Sequence, residues 1–231
     1  MLELFPEGFE EVDARDGVEL VAYTDGAGQE RFAAVFGAVS GREVPDDWHE
    51  RWRTFHRGVR IGHLWVGPPW EEPERGSIPV VIDPGRAFGT GSHPTTRLCL
   101  ELLERVPRGS LLDVGCGSGV VAVAAAKLGF APVTGLDLDP QAIVAARGNA
   151  AANGVQLELR TADVTRAELP AADVAVANIT LDVVGALGGR LRSPLAVTSG
   201  YLAADAPTLA GFRRVDRRER EGWAADLHEA R

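Results

Sequence analysis

The sequence predicts an α/β protein whose mostly parallel sheet carries helices on both faces and ends in an antiparallel hairpin. From about Ile78 onward, strand-like apolar runs alternate with helical stretches, a pattern typical of an open parallel sheet. Several of these runs are almost wholly apolar, as expected for strands buried on both faces. A glycine-rich turn follows the first buried strand, at the end of the strand where open α/β sheets bind ligands.

The composition narrows the class of protein. Of the 231 residues, 45% are hydrophobic and 25% are charged, which excludes disorder as the main state. No apolar run reaches the length of a membrane helix and the first residues lack a basic signal region, so we expect a cytoplasmic protein that does not span a membrane. Cys99 and Cys116 are too few for a disulfide scaffold. The net charge of -9 disfavours direct nucleic-acid binding and suits a basic partner.

Residues 1–45 are predicted to form a small N-terminal element. The runs Val18–Thr24 and Arg31–Val35 have the composition of strands, and the turn signal Asp25–Gly28 lies between them. A hairpin is expected here.

Residues 46–77 are predicted to form a helical linker and a strand. Trp48, Trp52 and Phe55 recur at helical spacing within residues 46–55 and define one face of a helix. That stripe favours packing against the following domain. The strand His63–Val66 comes next.

Residues 78–231 are predicted to form the α/β domain. The strands are expected at Leu111–Val114, Val133–Asp137, Leu157–Thr161, Val174–Ala177 and Leu195–Ser199. Helices are expected at Val120–Leu128, Gln141–Asn153 and Leu181–Leu191, with a short one near Asp205–Ala210. Because no helix separates Phe212–Arg220 from Trp223–His228, these two final strands should pair antiparallel at the sheet edge.

The glycine loop is the first candidate binding feature. Residues 115–119 read Gly-Cys-Gly-Ser-Gly and open a helix directly after a strand. Gly115 and Gly117 would let the backbone approach a ligand closely. A tight strand-to-helix connection is the alternative interpretation.

An acidic residue follows at the spacing expected for a nucleoside cofactor. Asp137 ends the next strand, about twenty residues after the glycines, where a carboxylate can accept both ribose hydroxyls. Asp139 precedes Pro140 and is better placed to cap the next helix. NAD stays possible, although Val120 stands where the dinucleotide pattern needs its last glycine.

Two further aspartates adjoin this loop and the third strand. Asp113 would hold the ammonium group of a cofactor or brace the turn. Asp163 lies just past the third strand, where its carboxylate would accept the exocyclic amine of adenine or serve as a turn residue.

The combined pattern resembles the class I S-adenosylmethionine-dependent methyltransferases, and more narrowly the ribosomal protein L11 methyltransferase (PrmA) family. Residues 82–96 read Ile-Asp-Pro-Gly-Arg-Ala-Phe-Gly-Thr-Gly-Ser-His-Pro-Thr-Thr, which is the most specific match. Asp113 to Gly119, Asp137 to Pro140 and Val176 to Ile179 complete it. The resemblance covers roughly residues 46–231 and implies a Rossmann-like seven-stranded sheet. Residues 1–40 resemble only the second part of the family's substrate-recognition domain, so we expect either a reduced element or a sequence that begins late in the family's pattern.

The resemblance implies methyl transfer from S-adenosylmethionine to an amine of a basic protein, with ribosomal protein L11 as the expected substrate. It assigns Asn178 to the catalytic site, where the side-chain oxygen would align the attacking amine. Phe88 would cover the cofactor, Thr90 and Gly91 would contact its methionyl end, and Thr95 would cap a helix that runs to Leu103. The cofactor site would comprise Phe88, Thr90, Gly91, Thr95, Asp113, Gly115, Cys116, Gly117, Asp137, Leu138, Asp163 and Asn178.

Several residues have two interpretations. His93 is a candidate general base, but a histidine in a loop also braces it by hydrogen bonding. Asn178 could be a simple strand-end turn residue, and Tyr201 would line the acceptor channel or belong to the core. Trp65 and Trp70 would contribute to a protein-binding surface. The other histidines have no ligand spacing, so no metal is predicted.

Other functions remain open on the sequence. The substrate could be another protein lysine or a small molecule, because the recognition element is reduced. A cofactor-binding module without catalysis and a dehydrogenase are further alternatives, disfavoured by Asn178 and by the stretch Phe88–Thr96 respectively. Oligomeric state is left undetermined.

Overall fold

The computed structural model describes residues 10–14, 17–21, 26–37, 39, 57–83 and 91–231. The chain divides into two compact units, Met1–Glu50 and Arg51–Arg231. The predicted linker helix at residues 46–55, with Trp48 and Trp52, lies outside the described residues.

The first unit contains a hairpin followed by a helix. Strands β1 (Glu10–Ala14) and β2 (Gly17–Val21) pair antiparallel, so the second strand overlaps the predicted run Val18–Thr24. The prediction of a strand at Arg31–Val35 is wrong, because these residues lie in helix α1 (Gly26–Phe36). Phe32, Val35 and Phe36 have the i, i+3, i+4 spacing of a helix, which outweighs the short β-like run.

The second unit begins with a three-stranded sheet. Strands β3 (Val59–Ile61) and β4 (Leu64–Gly67) pair antiparallel, and β5 (Ile78–Val81) pairs parallel with β4. The strand predicted at His63–Val66 is confirmed as β4, shifted by one residue. Trp65 is 5% exposed and packs in the core, which leaves it no part in a protein-binding surface.

A seven-stranded sheet forms the rest of the second unit, and the predicted fold class is confirmed. Its first five strands in chain order are parallel, and the last two form the predicted antiparallel edge hairpin. The strand order is β11-β12-β10-β9-β6-β7-β8. The strands are β6 (Leu111–Val114), β7 (Val133–Asp137), β8 (Glu158–Thr161), β9 (Val174–Asn178), β10 (Leu195–Leu202), β11 (Phe212–Arg220) and β12 (Trp223–Ala230).

Four helices accompany this sheet in the described part of the chain. They are α2 (Pro94–Leu103), α3 (Val120–Lys127), α4 (Pro140–Ala152) and α5 (Leu181–Ala186). Helix α5 is shorter than predicted, since Gly185, Gly188 and Gly189 are poor helix residues and Gly189 adopts a positive φ of 72°.

Both faces of the central strands are buried, as their apolar composition predicts. Leu111 and Val174 pack in one hydrophobic cluster, whereas their neighbours Leu112 and Ala175 pack in another. Because successive side chains of a strand point to opposite faces, the sheet has a core on each side. Strand β6 lies between β7 and β9, so the strand order reverses beside it, and ligands bind at such a switch point.

The segment after β10 departs from the prediction. The short helix expected near Asp205–Ala210 is not formed. The guanidinium of Arg217 donates to the backbone oxygens of Ala203 (2.7 Å) and Asp205 (2.8 Å), and Asp205 accepts from the Leu202 amide at 2.9 Å. Arg217 thus satisfies carbonyls that a helix would have used, and Pro207 lacks the amide that a helix needs.

None of the described helices is both long and apolar enough to cross a lipid bilayer.

Candidate active site

The glycine loop, residues 115–119, lies at the carboxyl end of β6. Gly115, Gly117 and Gly119 have φ values of +74°, +52° and +79°, a region that side chains rarely enter. A Cβ on Gly115 would also collide with the Ile179 side chain. The amides of Gly115 and Cys116 donate to the Leu136 carbonyl of β7 at 2.8 and 2.9 Å. The glycines are therefore needed for the turn itself, whatever it binds.

Asp137 ends β7 beside this loop. One carboxylate oxygen accepts from the Gly117 amide at 2.8 Å and the other accepts from the Asp139 amide at 2.9 Å. Each oxygen has a further lone pair, so Asp137 is fixed in place and can still accept two hydroxyls. The adjacent Leu138 is 68% exposed, an unusual apolar surface at this edge. Asp139 caps α4 through the Gln141 amide at 2.8 Å, which confirms its capping interpretation.

Asp113 is buried at the end of β6 and braces helix α3. It is 2% exposed, and its Oδ2 accepts from the Ala122 amide at 3.0 Å. Burial raises the pKa of the Asp113 carboxyl to about 7. The hydrogen bond from the Ala122 amide lowers this pKa, and the nearby charge of Asp137 raises it. The bracing interpretation accounts for this geometry. A contact with the ammonium group of a cofactor stays a prediction.

The raised pKa of Asp113 makes stability depend on pH. Between pH ~4 and ~7 the folded chain keeps a proton that the unfolded chain loses, so unfolding becomes easier as pH rises through this window. The variant Asp113→Asn would keep the acceptor for Ala122 without titrating. We expect the stability of the wild type to fall relative to the variant by about 1–4 kcal/mol across the window. Urea denaturation at the two ends tests this, and a constant difference would contradict it.

Two other predicted cofactor residues are engaged internally. Asp163 forms a turn in which Oδ1 accepts from the Thr165 amide at 2.9 Å and its hydroxyl at 2.6 Å, and these bonds lower the pKa of Asp163. This is the turn alternative, and a contact with adenine stays a prediction. The Cys116 side chain is buried against Ile143 and Ala146 of α4, which raises its pKa. The Cys116 side chain therefore points into the core and not toward the surface of the glycine loop.

Asn178 ends β9, on the other side of β6 from Asp137. Its Nδ2 donates to the Thr96 hydroxyl of α2 at 3.3 Å, so the side-chain oxygen is the atom left to accept from a ligand. Thr96 is 1% exposed and was not singled out from the sequence. The two threonines after Pro94 are the sequence feature that points to this contact, but the sequence does not show which of them faces β9.

The backbone around Asn178 is held by β10. The amide of Ile179 donates to the Ser199 carbonyl at 3.1 Å, and the Ser199 hydroxyl donates to the Ala224 carbonyl of β12 at 2.6 Å. Gly200 has φ +100°, and a Cβ there would collide with the backbone of Ile179. Close packing of this kind fixes the strand end that carries Asn178.

His93 braces the start of α2. Its Nδ1 lies 2.8 Å from the Thr95 hydroxyl and 3.3 Å from the Thr95 amide, and its ring meets the Trp223 ring edge-on at 4.9 Å. The prediction that Thr95 caps this helix is wrong: His93 is the N-cap, because Pro94 occupies the first helical position. The bracing interpretation of His93 fits this arrangement. Trp223, the last tryptophan of the chain, was missed.

Tyr201 belongs to the core. It is 2% exposed, and its hydroxyl lies 3.0 Å from Asp226 Oδ2 and 2.9 Å from the Thr198 carbonyl. Burial raises the pKa of this hydroxyl. The acceptor-channel interpretation of Tyr201 is therefore not supported.

The remaining predicted residues divide by position. Phe88 and Thr90 lie outside the described residues. Gly91 has φ +86°, and a Cβ there would collide with Val66 of β4, so the local backbone requires a glycine. The contact of Gly91 with the methionyl end of a cofactor stays a prediction. Within the described residues, no cluster of three or more metal-ligating side chains is found.

Comparison with known proteins shows which family the chain resembles. The profile of the family described as ribosomal protein L11 methyltransferase (PrmA) matches residues 12–225. A ribosomal protein L11 methyltransferase of Symbiobacterium thermophilum is 42% identical over 198 residues, which cover 79% of this chain and 65% of the relative. The corresponding protein of Geobacter sulfurreducens is 41% identical over 240 residues, 90% of this chain and 78% of the relative.

A solved structure is also similar. It is the ribosomal protein L11 methylase of Lactobacillus delbrueckii subsp. bulgaricus, with a TM-score of 0.67 and 28% identity over 75% of this chain and 98% of that one. The chain spans just under two thirds of the Symbiobacterium relative and 55% of its Yersinia pestis counterpart. Since the family profile spans both units, the chain belongs to the ribosomal protein L11 methyltransferase (PrmA) family.

Proposed function

We propose that this chain transfers methyl groups from S-adenosylmethionine to amine nitrogens of ribosomal protein L11, at a lysine side chain or an α-amine. The observation that carries the proposal is that two features lie together at the carboxyl ends of neighbouring central strands. The glycine loop and Asp137 form a nucleoside-type cradle on one side of β6, and Asn178 ends β9 on the other side.

The described residues fit S-adenosylmethionine. Asp137 has lone pairs for two ribose hydroxyls while its backbone bonds keep it in place. The exposed side chain of Leu138 offers an apolar surface for the adenine ring. The positive-φ glycines form the tight turn that places the Gly117 amide against the Asp137 carboxylate. Phe88 and Thr90 are proposed to contribute on the strength of the family motif.

Asn178 is proposed to align the amine. When bound, S-adenosylmethionine would supply a methyl group on a positively charged sulfur. The lone pair of the neutral amine would form a bond to the methyl carbon as the carbon–sulfur bond breaks in line, so that the neutral thioether S-adenosylhomocysteine leaves and the methylated ammonium loses a proton to solvent. Such a reaction depends chiefly on positioning. Because Thr96 accepts from the Asn178 amide nitrogen, the side-chain oxygen can accept an N–H of the amine and orient its lone pair. The amine must first lose a proton, since a free lysine has a pKa of about 10.4.

His93 has a supporting role in this proposal. Its bond to Thr95 and its contact with Trp223 tie the start of α2 to β12. Thr96, the next residue of α2, then reaches Asn178. His93 therefore positions the acceptor side of the site, and proton removal by His93 is the less favoured role.

The substrate assignment rests on the family and on charge. The chain carries a net charge of -9, and opposite charge speeds and orients the encounter with a basic ribosomal protein. Residues 1–45 are proposed as a substrate-recognition element, 46–77 as the linker and strand, and 78–231 as the methyltransferase domain. The proposal implies a cytoplasmic location, where ribosomal proteins are made.

The experiment that tests the substrate class uses radiolabelled S-adenosylmethionine with a bacterial lysate from cells that lack their own family member. We expect the main labelled protein, identified by mass spectrometry, to be ribosomal protein L11. Label in a different protein or only in small molecules would replace the substrate assignment. Binding of the cofactor without any transfer would instead identify a non-catalytic module.

A further inference from the structure

Two buried asparagines one turn apart, Asn149 in α4 and Asn153 directly after it, bond to backbone groups far away in the chain. Asn149 is 4% exposed and Asn153 is 8% exposed. Burying an amide is costly unless both its oxygen and its nitrogen are hydrogen-bonded. Both amides meet this requirement through backbone partners, so each fixes a distant segment against α4.

Asn153 completes the edge of the small three-stranded sheet. Its Oδ1 accepts from the Val81 amide at 2.9 Å, and its Nδ2 donates to the Val81 carbonyl at 2.6 Å. Among the strands that the structure describes, β5 is the edge strand on this side, so none of them pairs with Val81 there. The Asn153 amide replaces the peptide group that a neighbouring strand would supply.

Asn149 holds two segments together. Its Oδ1 accepts from the Asp83 amide at 3.0 Å, just past β5, and its Nδ2 donates to the Ser118 carbonyl at 2.9 Å. Ser118 belongs to the glycine loop, whose next residue, Gly119, packs so closely on α4 that a Cβ would lie 2.9 Å from that of Ala146. Asn149 therefore ties the loop to β5 through α4.

The bond to Ser118 lies next to the bond that orients Asp137. The Gly117 amide donates to Asp137 Oδ2 at 2.8 Å, and the carbonyl held by Asn149 belongs to the residue that follows Gly117. Two adjacent residues of the loop are therefore each held by a hydrogen bond, Gly117 to Asp137 of β7 and Ser118 to Asn149 of α4. Without the hydrogen bond from Asn149 to Ser118, the Gly117 amide would no longer be held in a fixed position relative to the Asp137 carboxylate.

We propose that Asn149 is a positioning residue for the cofactor: its side chain sets the glycine loop so that the loop orients Asp137. In this proposal Asn149 acts through the loop and not by contact with the cofactor. This inference rests on the proposed use of S-adenosylmethionine at the loop.

Asn153 provides the matched control. It lies directly after the same helix, is similarly buried, and satisfies backbone groups, but its partners belong to β5 and α4 and not to the loop. Asn149→Ala and Asn153→Ala should both lower the melting temperature, because each removes the hydrogen bonds that a buried side-chain amide makes to the backbone. Only Asn149→Ala should disturb the cradle.

The test is calorimetric titration of the wild type and both variants with S-adenosylmethionine. We expect affinity to fall about tenfold in Asn149→Ala and less than about twofold in Asn153→Ala, since a lost buried hydrogen bond typically changes an equilibrium by that factor. Unchanged affinity in Asn149→Ala, or equal losses in the two variants, would overturn the inference. If Asn149→Ala does not fold, Asn149→Ser, which has a shorter side chain with a hydroxyl in place of the amide, takes its place.

A measurement without cofactor separates this inference from the proposed function. Amide hydrogen exchange of Gly117, followed by NMR, should accelerate in Asn149→Ala at least about tenfold more than in Asn153→Ala. Equal exchange rates would overturn the inference even if the wild type binds the cofactor. A wild type that does not bind S-adenosylmethionine would refute the proposed function, and the exchange experiment would still decide the role of Asn149.

Discussion

Asp137→Ala is expected to weaken the binding of S-adenosylmethionine at least ~100-fold, because it removes two charge-assisted hydrogen bonds of about 1.5–3 kcal/mol each. The structure adds a second reason. The carboxylate also accepts from the amides of Gly117 and Asp139, so its loss frees the loop as well as the ribose contacts. Isothermal titration calorimetry measures the change directly.

Asp139→Ala is the control for the loss of an acidic residue at this edge. Asp139 caps α4 through Gln141, so its replacement should cost about 0.5–2 kcal/mol of stability and leave affinity within a few fold. Equal weakening in both variants would contradict the assignment of Asp137 to the ribose. Preference for NAD over S-adenosylmethionine in the wild type would contradict the cofactor assignment itself.

Asn178→Ala is expected to lower turnover about 100-fold or more while the affinity for S-adenosylmethionine changes little. An interaction that matters mainly in the transition state lowers kcat and kcat/KM together without weakening binding of the cofactor. Asn178 is suited to such a role, because Thr96 takes its amide nitrogen and leaves its oxygen for the amine. Single-turnover kinetics and calorimetry on the same preparation measure the two quantities.

Thr96→Val provides the graded comparison for this prediction. Valine has nearly the same shape as threonine but cannot accept a hydrogen bond. In this variant the Asn178 side-chain amide would still be present, but the bond that orients it would be lost. Turnover should fall by about tenfold, which is less than in Asn178→Ala. A parallel loss of cofactor affinity and turnover in Asn178→Ala would instead indicate that Asn178 supports the fold of the strand end.

The sequence predicts the central sheet well because burial on both faces leaves a strong local signature. Leu111–Val114 and Val133–Asp137 begin and end as predicted. Helix α1 was mistaken for a strand because a run of five residues does not separate the two periods. The missing helix after β10 was unpredictable for another reason, since Arg217, from a later strand, takes the carbonyls of that segment.

The site shows the same division. The glycine loop and Asp137 follow from spacing along the chain, because both ends of the pattern lie in one strand-helix-strand unit, β6-α3-β7. Thr96, Trp223 and Asn149 act through partners that are distant in sequence: Asn178 for Thr96, His93 for Trp223, and Asp83 and Ser118 for Asn149. A polar residue on a helix gives no local sign of such partners. Only the packing of α2 and α4 reveals them.

The most direct test of the central claim is the intact mass of purified ribosomal protein L11 after incubation with the chain and S-adenosylmethionine. The account predicts mass increments of whole methyl groups, located by fragmentation on amine nitrogens, with the wild type and a strongly reduced yield with Asn178→Ala. An unmodified mass with a wild type that binds the cofactor would contradict the claim that this chain methylates ribosomal protein L11.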